Sequence, residues 1–134
     1  MSNLQTQEQQ RAQFALDWMK QQAKKTETEQ NEIKSWSSQF PIMIHTNGFG
    51  PACAFFKSRQ NVEGARELYN HLKDWLAKAL PSLVNNADLM DVVTRCDQQQ
   101  YRLMQAEAQA YLQWVKQLAK AYLKGDETNN GGGA

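Results

Sequence analysis

A seven-residue spacing governs the last third of the chain. Tyr101, Met104, Ala108, Tyr111, Val115, Leu118 and Tyr122 stand alternately three and four apart, and Leu112 and Ala119 widen the apolar stripe they form. An α-helix returns to the same face at that spacing, so these residues predict one long amphipathic helix. Such a stripe is unfavourable in water, and a single helix has nothing of its own to cover it. Partner helices must therefore come from the rest of the chain.

The sequence supplies them. Ala65, Leu68, Tyr69, Leu72, Trp75, Leu76 and Ala79 mark a second clear stripe, which stops at Pro81. A first helix is predicted from Thr6, where Thr6 and Gln9 have capping-box spacing, to about Lys25, with Phe14, Ala15, Trp18 and Met19 on one face. Ile33, Trp36, Phe40 and Ile44 predict another, which Pro41 is expected to kink or restart. A shorter helix over residues 86–95 presents Leu89, Val92 and Val93. Gln, Lys, Leu and Ala abound, Gly is 7 and Pro 3, and no long run alternates apolar with polar residues. The expected fold is all-α, a compact bundle of about five to six helices. With 134 residues and 41% hydrophobic content, one core is expected, in a single helical domain over residues 1–124. Residues 125–134, Gly-rich and polar, are expected to be a disordered tail. Phe14, Trp18, Leu68, Leu72, Trp75, Leu76, Leu112, Val115 and Leu118 are the expected core.

Two connections matter. Residues 26–31 are polar throughout and read as an exposed link or a frayed helix end whose length is free to vary. The run His45-Thr46-Asn47-Gly48-Phe49-Gly50-Pro51 marks a corner that needs positive φ or close backbone approach. Apolar runs flank it, so a β-hairpin about Asn47-Gly48 competes with a helix-helix corner. In the second reading the glycines only allow the turn; a weaker version leaves backbone N–H groups ahead of a short helix open to a phosphate, with Lys57 and Arg59 arriving two turns later.

Catalytic patterns are scarce. His45 and His71 are the only histidines, and neither lies in a recognisable nucleophile-base motif. Glu63, Glu67, His71 and Asp74 share a helix face, but the paired Glu-x-x-His of a carboxylate-bridged metal bundle is missing. Gly48-Phe49-Gly50 lacks the third glycine of a dinucleotide fingerprint. These patterns predict no enzyme activity, no metal, no cofactor and no small-molecule substrate. Cys53 and Cys96 are far apart and read as free thiols. The polar start MSNLQTQEQQ and the absence of a long apolar run point to a cytoplasmic protein without a membrane segment. Fifteen Lys and Arg against 14 Asp and Glu give a net charge of +1, so any nucleic-acid contact must rest on local patches. One such strip runs along the last helix through Arg102, Gln105, Gln109, Gln113, Lys116, Lys120 and Lys124. Trp18, Trp75 and Tyr111 are expected to pack in the core, while Trp36 and Trp114 remain open as partner contacts.

The ordered motifs carry a likeness. Arg11-Ala12-x-Phe14-Ala15, Pro41, Asn47-Gly48-Phe49-Gly50 with Ala54-Phe55-Phe56-Lys57-Ser58, Leu68-Tyr69-x-x-Leu72-x-x-Trp75-Leu76, and Tyr101-Arg102 before Leu112-x-Trp114-x-Lys116 follow one another over residues 8–124. The set resembles the small helical subunit of the Cmr complex, a type III-B CRISPR effector. That resemblance implies helices on both sides of Asn47-Gly48 and no catalytic activity. It also implies copies of the chain stacked beside backbone subunits along guide RNA and target RNA, as part of antiviral defence. Under it, Lys57, Arg59, Arg66, Lys116 and Lys120 are the expected RNA contacts, and Arg11 and Arg102 are equally placed for structural roles. The alternatives are the small subunit of the related type III-A complex and a helical adaptor that binds only protein.

Overall fold

A computed structural model describes residues 4–85 and 87–125. Among them are six helices and no strand: α1 (Gln7–Gln22), α2 (Glu27–Asn47), α3 (Phe49–Lys57), α4 (Glu63–Ala79), α5 (Leu89–Arg95) and α6 (Gln98–Tyr122). The all-α bundle is as expected, and the hairpin is replaced by the corner between α2 and α3.

Local chemistry starts most of these helices. Thr6 caps α1 and Gln9 reaches back to it, completing the expected capping box. Thr26 with Glu29, and Asp97 with Gln100, do the same for α2 and α6. The second of these boxes corrects the reading of residues 26–31 as a loose link. Thr26 starts a helix there, and Gln30 is buried. Its Nε2 donates to the carbonyls of Ala23 and Lys25, and its Oε1 accepts the Lys124 N–H. One amide thus fastens the end of α1 and the end of α6 to α2, which fixes the link's length.

Pro41 does not restart α2. The helix continues through it, giving up the hydrogen bond that residue 41 would donate to the Ser37 carbonyl. Packing outweighs that loss: Phe40 and Pro41 are buried, and the Phe40 ring stacks on Phe56 at 3.9 Å. The fifth helix begins at Leu89, capped by Asp88, rather than at Asn86, which lies outside the described residues. The tail from residue 126 also lies outside them.

One core draws on all six helices. Leu68, Leu72, Trp75, Leu76, Leu112 and Val115 are buried in it as expected. Phe14, Trp18 and Leu118 are only half-buried. On α1 the innermost places go to Ala15 and Met19, and the two aromatic rings lie along the flank; Leu118 is similarly displaced by Val115 and Ala119. Tyr122, at the end of the stripe, is 45% exposed, and Leu123 is buried beyond it. The long helix finds its cover in α1, α2 and α4. It runs antiparallel to α2, with Lys124 joined to Gln30, Gln109 to the Pro41 carbonyl and Gln105 to Phe49.

Candidate functional site

The glycine corner is built from both ends of the sequence. Gly48 has φ +94°, a conformation costly for residues with a Cβ, and it lets α3 leave α2 abruptly. The first N–H groups of α3 are not open to a phosphate. Gln105 Oε1 accepts the Phe49 N–H at 2.9 Å, and the Tyr101 hydroxyl accepts the Gly50 N–H at 2.7 Å. Pro51 has no N–H, and the Ala52 N–H bonds the Gly48 carbonyl. A Cβ on Gly50 would come within 3.1 Å of the Tyr101 hydroxyl and 3.3 Å of Val93, so glycine permits the close approach of α6. The corner is therefore the one whose glycines only allow the turn, and the weaker phosphate-loop alternative fails, because every donor in the first turn already has an acceptor.

The five cations nominated from the sequence fall into two groups. Lys57, Arg59 and Arg66 surround the α3–α4 corner. Lys57 Nζ pairs with Asp88 at 3.2 Å, the Arg59 guanidinium lies 4.5 Å over the Phe55 ring, and Arg66 donates to the Gln60 carbonyl at 2.8 Å. Lys116 and Lys120 stand one turn apart on α6. Lys116 borders a groove with Pro41, Ile42 and His45 of α2, and no residue of the α3–α4 corner lines that groove. Among the described residues neither Lys116 nor Lys120 has a carboxylate within ion-pair distance. Of the basic strip, Gln105 and Gln109 are committed to α3 and α2, and the remainder faces solvent in part.

Of the two histidines, His71 is locked inside. His71 stacks on Trp18 at 4.1 Å and on Phe14 at 5.2 Å, and its Nε2 shares a 2.5 Å hydrogen bond with the Tyr111 hydroxyl. Burial drives its pKa down to about 3, so the ring is neutral at physiological pH. Glu67, on the face shared by Glu63, His71 and Asp74, pairs with Lys25 at 2.9 Å. Among the described residues no three His, Cys, Asp or Glu side chains gather. Both cysteines are free, and burial, with the charge of Asp88, pushes the Cys53 thiol up to about 12.

Sequence reasoning missed Glu107. It is buried on α6, accepts from Arg11 Nε at 2.7 Å and Nη2 at 2.9 Å, and accepts from Trp75 Nε1 at 2.9 Å. Burial alone would raise its carboxyl, but the bonds from Arg11 and Trp75 outweigh it and hold it below the ordinary range. The signal in the sequence was that Glu107 is the only acid between Gln98 and Tyr122, set beside Ala108 in the apolar stripe. Trp114 Nε1 donates to Glu8, and Trp36 packs edge-on against Phe56, so both unassigned tryptophans have internal contacts.

A family described as CRISPR-associated protein (Cas_Cmr5) matches residues 7–122, from the first residue of α1 to the last of α6. The chain belongs to the Cmr5 family. It is a Cmr5-type small subunit of the type III-B CRISPR complex, and membership implies association with other Cmr subunits. The type III-A alternative gives way to that assignment. In this Cmr5 chain the motifs behind the resemblance meet one another: Arg11 and Trp75 converge on Glu107, Tyr101 closes the glycine corner, and Trp114 reaches Glu8. They hold the bundle together.

Proposed function

We propose that the chain is a non-catalytic subunit that stacks along the backbone of the Cmr ribonucleoprotein and helps hold guide and target RNA, in the cytoplasm, during antiviral defence. The observation that carries this reading is a Cmr5 match spanning α1 to α6. His71 and Glu107 support the non-catalytic part, since both are spent on internal hydrogen bonds. The proposed phosphate contacts are Lys57, Arg59, Arg66, Lys116 and Lys120. Lys57 would exchange Asp88 for phosphate at little cost, because an exposed ion pair contributes only about 0–1 kcal/mol. Phosphate contacts position RNA without reading it, so sequence choice is left to guide pairing.

The test is reconstitution of the Cmr complex with guide RNA, with and without this chain. The chain should copurify with backbone subunits and guide RNA. Leaving it out should weaken target binding while target that is bound is still cleaved at the same rate. Loss of cleavage on saturated target would overturn the non-catalytic reading, and unchanged target affinity would overturn the RNA-holding one.

A further inference from the structure

The net charge of +1 conceals an uneven distribution. The chain has 14 Asp and Glu, yet none between Glu32 and Glu63 and none from Ala108 to Gly125. Folding brings these two acid-free segments together, because the second half of α2 lies antiparallel to α6 and the Pro41 carbonyl meets Gln109 Nε2 at 3.4 Å. Between the two helices runs an open groove of about 540 Å³. Its polar side chains are His45, Gln109, Gln113 and Lys116, and its apolar ones are Pro41, Ile42 and Ala110. Ile42 is 55% exposed, a large apolar side chain left to solvent beside a cation.

We propose that this groove takes a sugar-phosphate step of single-stranded RNA. The inference rests on the RNA-holding reading and narrows it from scattered cations to one place. Lys116 and His45 face the phosphate, Lys120 continues the cationic line one turn along α6, and Ile42 packs against the ribose or a base face. The amides of Gln109 and Gln113 both donate and accept, which suits 2′-hydroxyl and phosphate oxygens alike. Charge decides the class of occupant. Two walls without a carboxylate favour a polyanion, whereas a protein surface of mixed charge would meet cations without their counterparts. The corner residues Lys57, Arg59 and Arg66 already have internal partners; among the described residues Lys116 and Lys120 have no carboxylate within ion-pair distance to give up.

The test uses the reconstituted complex carrying His45→Ala with Lys116→Ala, beside complexes with the native chain and with the chain left out. A second arm places a photo-crosslinking residue at Ile42. The free variant should melt as the native chain does, since His45 is exposed and Lys116 only half-buried. In the complex, target-RNA affinity should fall several-fold and the salt slope should drop by about 0.7 for each phosphate no longer held. The crosslinker should capture RNA. Capture of a neighbouring subunit alone would make the groove a protein-docking surface and overturn the proposal. Unchanged affinity in the variant, with a loss on omitting the chain, would overturn the groove while keeping the RNA-holding role. No loss on omission would overturn both.

Discussion

Arg11, Glu107 and Trp75 form the polar knot of the molecule, and it lies where charge is most expensive to leave unpaired. Glu107 is 8% exposed and holds two donors of Arg11 as well as the Trp75 indole. Removing its charge leaves a nearly buried guanidinium with only Glu8, so Glu107→Gln should cost about 3 kcal/mol in urea melts, as breaking buried pairs does. A loss under about 0.5 kcal/mol would mean that the pair is solvated. His71 makes a second prediction, in pH. Its folded pKa of about 3 lies below the ordinary 6.5, so between those values the unfolded chain binds more protons and stability falls as pH falls. Above pH 6.5 this contribution is fully present. The slope approaches about 1.4 kcal/mol per pH unit for one proton. Glu107 acts in the same direction at lower pH: its depressed carboxyl stabilises the fold above the ordinary value, and that is lost as pH drops through the folded one. The urea midpoint should therefore decline from about pH 7 to about pH 5, and His71→Phe should flatten that decline. Equal midpoints at the two pH values in the native chain would contradict a buried neutral imidazole.

At the scale of elements, α3 depends on α6 for its beginning. Gly48 has no side chain to cap with, so Tyr101 serves Gly50 from 51 residues away and Gln105 serves Phe49 from 56. Tyr101→Phe should expose the Gly50 N–H to exchange and cost about 1–2 kcal/mol, the usual loss for a helix cap. An unaltered exchange rate at Gly50 would show that the amide finds another acceptor. This dependence also explains which parts of the fold were legible in the sequence. The Thr6-Gln9 box and the stripes of α4 and α6 rest on neighbours within a turn or two, and such patterns are written locally. Thr26-Glu29 has the same local form, but a wholly polar run hid it, because Gln30 is buried only through partners on α1 and α6. Pro41 does not restart α2 for a related reason: the helix rule holds for an isolated segment, and here the packing of Phe40 on Phe56 and the contact with α6 keep the helix continuous. The glycine corner was legible as a turn, but the acceptors that close its N–H groups to a phosphate come from distant sequence, which no local pattern reveals.

For the whole molecule, near-neutrality and the division of its cations set what one copy can do with RNA. The corner set carries Lys57, Arg59 and Arg66, each with an internal contact, and the α6 set carries Lys116 and Lys120 beside the acid-free groove. A copy offering about two or three phosphate contacts binds weakly alone, with a salt slope of roughly 0.7 per contact on a single strand. Copies held side by side add their contacts through effective concentration, so weak sites become a firm track. Lys57 and Arg59 lie outside the core, and their partners Asp88 and Phe55 keep the α5 cap and the α3 packing without them. Replacing both with Ala should therefore leave the free chain's melting temperature and its recovery with Cmr subunits unchanged. Target affinity of the assembled complex should fall for every target sequence alike, because a side chain that holds phosphate reads no base. The measurement is target binding at two salt concentrations over several guide-target pairs. If affinity and salt slope stay constant, Lys57 and Arg59 serve the corner alone and the RNA track runs along α6; a loss that varies with target sequence would instead mean that these side chains reach the bases.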